Sequence, residues 1–220
     1  MNLIEVKNLS FSYDQYKYVL QNINMSFQKG KIYGIFGRSG AGKSTLLSLI
    51  SGLELPKEET VFYKGKDLSK MDRNHYRCHD IGIIFQSYNL LPHLTGLENV
   101  ILSMDINGMK KSNQEKKEIA LTLLKKVGID AVKANRPVLK LSGGEQQRVS
   151  IARALSYNSE VILADEPTGN LDKETEQEIL NLLITLAHED NKCVIIISHS
   201  SSVKNIADQT YHLVGGKVTT

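Results

Sequence analysis

The stretch KIYGIFGRSGAGKST, residues 31–45, decides the fold. Lys31 to Phe36 is a short apolar run of the kind that forms a buried strand, and it leads directly into Gly37-Arg38-Ser39-Gly40-Ala41-Gly42-Lys43-Ser44. That octet satisfies G-x-x-x-x-G-K-[S/T], and from Ser44 onward Leu46, Leu47, Leu49 and Ile50 follow at helical spacing up to Ser51. Strand, glycine loop and helix in this order form a phosphate cradle. The glycines let successive backbone N–H groups turn inward, and the helix N-terminus adds roughly half a positive charge. Lys43 is then placed for the β- and γ-phosphates of a nucleotide and Ser44 for Mg2+, with Thr45 beside it.

Working outward, similar apolar runs recur before turn residues: IGIIFQ from Ile81, VILAD from Val161 and VIII from Val194. Helical patterns alternate with them, as in Lys173 to His188, where Ile179, Leu180, Leu183 and Leu186 form a stripe and Asp172 is placed as the cap. This alternation predicts an α/β core with crossovers. Ile4 to Phe11 and Leu20 to Phe27 instead alternate apolar and polar residues, which predicts antiparallel strands with one exposed face and a mixed sheet.

From Gln86 to about Asn158 the strand signal disappears and helices are expected. One of them opens with Ser112 and Glu115 in a capping-box pattern, carries Ile119, Leu123, Leu124 and Val127 on one face, and stops at Gly128. The expected organisation is a single domain over residues 1–220. Its nucleotide-binding core takes in about 1–86 and 159–220, and a helical subdomain about 87–158 is inserted between them.

A P-loop site also needs an apolar strand ending in a metal-binding carboxylate, which VILADEP supplies. Asp165 is expected to hold Mg2+ directly or through water, and Glu166 to take a proton from the attacking water; an acidic strand end facing solvent is the plainer alternative. Farther along, LSGGEQQR from Leu141 to Arg148 places a hydroxyl and two glycines ahead of a helix-forming run, which is a second anion pocket. One nucleotide does not need two cradles.

Composition excludes more than it identifies. The 27 basic and 24 acidic side chains leave a net charge of +3, without the long like-charged blocks of nucleic-acid tails, so no nucleic-acid partner is expected. Cys78 and Cys193 lack paired metal-site spacing and read as free thiols of a reducing compartment. The N-terminal residues do not resemble a signal peptide, and no apolar run approaches the roughly 18 residues a membrane helix needs. If a membrane is involved, another chain supplies the span.

Together, GRSGAGKST, Gln86 closing IGIIFQ, LSGGEQQR, VILADEPTGNLD and His199 after VIII resemble the nucleotide-binding subunit of ATP-binding cassette (ABC) transporters, over nearly the whole chain. The resemblance implies a P-loop NTPase core with a mixed sheet, an N-terminal antiparallel β-subdomain and an inserted helical subdomain. It also implies a reason for the second cradle. In the family two subunits stack head to tail, so Ser142, Gly143 and Gly144 of one copy face the ATP held by the other.

By the same resemblance Tyr13 stacks on adenine, with Tyr16 and Tyr18 as rivals. Gln86 touches Mg2+ or the attacking water, His199 contacts the γ-phosphate and orients that water, and Asp172 links the two sites or caps its helix. The implied cofactors are ATP and Mg2+. The implied partners are a second copy of the chain and an integral-membrane permease, which would hold this cytoplasmic subunit peripherally on the inner face of the membrane.

ADEPTGNLD and FQSYNLLPHLTGLENV look most like the subfamily serving lipoprotein-release, macrolide-export and antimicrobial-peptide-resistance permeases. Leu90, Leu91 and Leu94 are candidates either for a permease groove or for core. The alternative function is a non-transport ATPase regulator acting through a membrane partner, as in the cell-division relative. DNA-repair heads of this family need a long coiled coil, and no sustained heptads occur here. There are two departures from the family pattern: Lys57, Glu58 and Glu59 stand where a glycine is usual, and Ser200 follows the histidine where an acid is usual.

Overall fold

The computed structural model describes residues 2–14 and 17–219. Along the chain the first elements are β1 (Ile4–Phe11), β2 (Leu20–Phe27), β3 (Lys31–Phe36), α1 (Lys43–Ile50), β4 (Val61–Tyr63), β5 (Lys66–Asp67), α2 (Arg73–His79) and β6 (Ile81–Ile84). The helical stretch follows, with α3 (Gly96–Ile106), α4 (Asn113–Lys126), α5 (Ala131–Ala134) and α6 (Gly143–Leu155). The chain then returns to strands with β7 (Val161–Asp165), α7 (Lys173–His188), β8 (Cys193–Ile197), α8 (Ser201–Ile206), β9 (Gln209–Val214) and β10 (Lys217–Thr219).

The two kinds of strand pattern go into two sheets. The alternating strands β1 and β2 join β4 and β5 in a four-stranded antiparallel sheet of order β2-β1-β4-β5. The apolar runs form a six-stranded sheet of order β10-β9-β3-β8-β7-β6, parallel except for the terminal β9–β10 pair, which makes it mixed. Its central strands are buried on both faces because successive side chains enter different cores. Tyr33, Ile35, Leu163 and Ile195 face α1 and the antiparallel sheet, while Ile32, Ile162, Ala164, Val194 and Ile196 face α3, α4, α6, α7 and α8.

The helical stretch shares that second core with the sheet. Among the described residues its only β pairing is the isolated bridge between Thr95 and Pro137. Capping boxes open α3 (Thr95 and Glu98), α4 (Ser112 and Glu115) and α6 (Ser142 and Glu145), each satisfying helix-end donors that would otherwise be unpaired. Gly128 follows α4 at φ +83°, in the left-handed region favoured by glycine. Of the apolar residues after Gln86, Leu90 packs on the helical core, whereas Leu91 is exposed.

The turn that lacks the usual glycine forms without it. Glu59 itself takes the left-handed conformation, at φ 58°, and its N–H donates to Asp67 Oδ2 at 3.0 Å. The short β4 and β5, the helix α2 and the C-terminal β9–β10 hairpin do not stand out in the sequence pattern, because segments this short carry too few residues to establish a period.

Candidate functional site

Register places the site. Ile35 of β3 and Asp165 of β7 both pair with Ile197 of β8, so β7 and β8 end level and β3 runs one residue beyond them. The chain leaves them as Gly37, Glu166 and Ser198, side by side at the carboxyl edge of a parallel sheet, where α/β folds bind ligands.

The Gly37–Ser44 loop turns tightly over this edge. Gly40 and Gly42 have φ of 76° and 102°, and a Cβ on Gly42 would stand 2.8 Å from Leu20 Cδ2. A Cβ on Gly37 would meet the Leu213 carbonyl oxygen at 2.5 Å. Glycine is therefore required at the last of these by packing and at Gly42 by packing and backbone together. Gly42 is also the N-cap of α1 and offers no side-chain acceptor, so the first N–H groups of the helix face the loop's concavity. Val19, Ser39, Gly40, Gly42, Lys43, Ser44 and Thr45 line a cavity of about 320 Å3 there. Ala41 is buried beneath the loop and Arg38 is exposed on it; Lys43 Nζ donates to the carbonyls of Gly37 (2.8 Å) and Arg38 (3.2 Å).

Asp165 and Glu166 point into different surroundings, as adjacent residues leaving a strand do. Burial and the neighbouring Glu166 charge raise the Asp165 carboxyl above the usual range, while the Lys43 ammonium pulls it down. Glu166 has φ 46°, and its N–H donates to Ile197 O at 2.9 Å. Its carboxylate is held on both oxygens: Oε1 by His199 Nδ1 at 2.8 Å and Oε2 by the Ser198 hydroxyl at 3.1 Å. The His199 side chain is 74% exposed against 14% for Glu166, so the imidazole forms the outer wall of a largely sheltered acid. Gln86 lies two residues beyond β6 and is exposed; its carbonyl accepts from Asn170 Nδ2 at 3.3 Å, and its carboxamide lies beside Gly169. The strand expected to run to Gln86 ends at Ile84, which leaves the glutamine on a loop.

The LSGGEQQR segment, expected to form a second anion pocket, caps the N-terminus of α6 and is not among the walls of the cavity over α1. Ser142 is exposed, and its hydroxyl accepts from Glu145 N at 3.2 Å as the cap of α6. A Cβ on Gly143 would lie 3.0 Å from the Tyr88 hydroxyl, and one on Gly144 would collide with Cγ2 of Thr175. Asp172 caps α7, accepting from Glu174 N at 3.1 Å and Thr175 N at 3.0 Å, and it also takes the Thr175 hydroxyl at 2.7 Å. Thr175 thus connects Asp172 to Gly144, the second glycine of LSGGEQQR, the signature segment.

Of the aromatic candidates, Tyr13 is 65% exposed, stands edge-on to Phe11, and brings its hydroxyl to 3.3 Å from Thr45 Oγ1 at the rim of the cradle. Tyr18 lines a different cavity with Ser10, Gln21 and Lys217, and Tyr16 lies outside the described residues.

Sequence reasoning missed four residues that build this site: Ser198, Thr175, Tyr88 and Arg153. The Arg153 guanidinium donates to Tyr88 O at 2.9 Å and to Asn89 O, holding two consecutive left-handed residues against α6. None of the four carries a motif of its own, although Ser198 adjoins His199 and Arg153 lies on the helix that the signature opens.

Bacterial and archaeal relatives match nearly the whole of this chain. An uncharacterized ABC transporter ATP-binding protein, YclH of Bacillus subtilis, is 46% identical over the whole chain and 96% of its own length. The macrolide export ATP-binding/permease protein MacB of Pasteurella multocida is 39% identical over 98% of this chain, a match that occupies 34% of that protein. The dimeric structure of MJ0796, a cassette from Methanocaldococcus jannaschii, superposes with a TM-score of 0.89 at 38% identity, covering 99% of this chain and 97% of that one. A second dimeric structure of the same cassette, in a post-hydrolysis state bound to ADP and Pi, gives the same TM-score of 0.89. A family model described as ABC transporter matches residues 20–169. This chain belongs to the ABC transporter family.

Proposed function

We propose that this chain is the ATP-hydrolysing subunit of an ABC transporter, working as a head-to-tail dimer that drives a separate membrane permease. The observation that carries the reading is that the α6 N-terminus at Ser142–Gly144 lies outside the P-loop cavity of the same chain. The cavity over α1 is lined by the P-loop, and Ser142–Gly144 is not among its walls. Each copy then offers Lys43, Ser44 and the N–H groups around Gly37–Thr45 to one ATP, and its Ser142, Gly143 and Gly144 to the ATP of the other copy. Tyr13 at the cradle's rim provides the aromatic face for adenine, a contact of about 1–3 kcal/mol. The ADP and Pi found in the dimeric relative support nucleotide turnover in this arrangement.

Glu166 is the base in this reading. It sits at a strand tip beside the P-loop, and His199 donates to it through Nδ1, which leaves Nε2 for the γ-phosphate in this reading. Ser44, Gln86 and Asp165 would hold Mg2+, since hydroxyl, carboxamide and carboxylate oxygens are the hard donors that suit it alongside phosphate oxygens and water. When bound, Mg2+ supplies charge neutralisation at the phosphates. Asp172, at the N-terminus of α7, joins the signature side to the base side of the same chain. The domain division follows these roles: residues about 1–86 and 159–220 hold the fuel, and 87–158 carries the signature.

No helix among the described residues is long and apolar enough to cross a membrane, so in this reading the span belongs to a permease and the chain sits on its cytoplasmic side. The relative in which a similar cassette and a permease share one macrolide-export chain supports that partnership and an export or extraction role. Exposed Leu91 is the residue after Gln86 best placed to meet the permease; Leu90 belongs to the core. The test is Glu166→Gln. ATP binding stays within twofold, turnover falls at least about a hundredfold, and an ATP-bound dimer accumulates on size exclusion. Parental turnover in this variant refutes the reading.

A further inference from the structure

We propose that Ser198 is a positioning residue for Glu166, held in place by a hydrogen-bond chain that runs through Ser200 to Glu176 on α7. The inference rests on the reading of Glu166 as the base and adds how that base is aimed. An ionised carboxylate has about four lone-pair sites. His199 and Ser198 take one on each oxygen, which fixes the plane of the group and leaves the remaining sites to receive a proton from water.

Ser198 is suited to this because it cannot turn away. It is 1% exposed, and its oxygen accepts the N–H of Ser200 at 3.0 Å, so its hydrogen is directed at Glu166 Oε2. Ser200 is fixed in turn. Its hydroxyl donates to Glu176 Oε1 at 2.9 Å and accepts from Ser202 N at 3.2 Å as the cap of α8. Glu176 also takes the Thr168 hydroxyl at 3.4 Å, which ties the chain to the segment leading from Glu166 to Asp172. Here the departure from the family pattern acquires a physical meaning. Where an acid usually follows the histidine, this chain has Ser200, and its hydroxyl is bound to the carboxylate of Glu176 on α7.

A base that is misaimed loses rate without losing affinity, because the ground-state nucleotide is held by other residues. Steady-state hydrolysis by the full-length chain, with ATP affinity measured separately, therefore tests the proposal. For Ser198→Ala we expect kcat to fall at least tenfold, with KM and ATP affinity within twofold of the parent. Glu176→Ala, at a half-buried site, should lower kcat in the same direction, and adding it to Ser198→Ala should cost almost nothing more, since both act through one hydroxyl.

An unchanged kcat in Ser198→Ala overturns the proposal, and so does full additivity of the two substitutions or an equal loss of affinity and rate. Glu166→Gln measured alongside separates the two levels. Parental turnover there removes the base itself; an inactive Glu166→Gln beside a normal Ser198→Ala removes only the positioning residue. If Ser198→Ala does not fold, Glu176→Ala alone decides, by the same split between kcat and KM.

Discussion

Gly144 lies so close to Thr175 that a Cβ at the glycine would fall inside contact distance of Cγ2 of the threonine. The second signature glycine therefore marks a close approach of α6 to α7, and Thr175 is itself held by Asp172 through a hydroxyl contact of 2.7 Å. Overpacking of a contact like this costs about 1–3 kcal/mol and displaces the elements that make it.

Gly144→Ala should accordingly push α6 away from α7. ATP-driven dimerisation and turnover fall at least about tenfold, while nucleotide binding by the chain's own P-loop stays within twofold. Thr175→Ser removes Cγ2 and keeps the hydroxyl that Asp172 accepts, so the double variant regains most of the lost turnover. A Gly144→Ala chain with parental dimerisation contradicts the contact's importance.

Ser142→Arg tests the sharing of sites. The substitution removes the α6 cap, at a cost of about 1 kcal/mol, and puts a bulky cation on an exposed surface that faces the second copy in the proposed dimer. ATP binding to the single chain, followed by equilibrium dialysis, should persist; dimer formation and turnover should not. Unchanged turnover leaves the two-chain site without support.

Arg153 holds the loop that carries Tyr88. Its guanidinium bonds to the carbonyls of Tyr88 and Asn89, whose φ values of 60° and 50° are costly for side-chain-bearing residues. Arg153→Ala should lower stability by about 1.5–3 kcal/mol in urea unfolding, and raise hydrogen exchange at residues 88–91 more than at β7. Uniform exchange changes across the sheet would show a global effect instead.

Glu160 gives the stability a pH dependence with a definite sign. Burial raises its pKa, but hydrogen bonds and charge from Lys29 (2.8 Å) and Lys64 (2.8 Å) outweigh this and bring it down to about 2 from 4.5. A depressed folded-state pKa stabilises the folded chain above the unfolded value, and that contribution is lost as pH falls from about 4.5 toward 2. The gap in melting temperature between the parent and Glu160→Gln should therefore narrow between pH 5 and pH 3. A constant gap would show that the cluster acts through packing.

Most of the site's motif residues were legible in the sequence because their chemistry is local. The P-loop, the capping box at Ser112, the LSGGEQQR run and the acid pair at Asp165 and Glu166 are each written within a few consecutive residues. The resemblance already favours Tyr13 over Tyr18; folding adds the physical difference, since Tyr13 brings its hydroxyl to Thr45 whereas Tyr18 lines another cavity. The groove candidates divided in the same way, Leu90 into the core and Leu91 onto the surface.

The sequence by itself determined the strand–loop–helix cradle, the doubly buried strands and the helical stretch between Gln86 and Asn158, because hydrophobic period, glycine and caps act over short range. Only the tertiary structure decided that Ile35, Asp165 and Ile197 stand level, that Ser198 and His199 close on Glu166, and that Thr175 and Tyr88 crowd the signature glycines. The physical reason is that these contacts follow from strand register and helix packing between segments far apart in the chain, which no local pattern records.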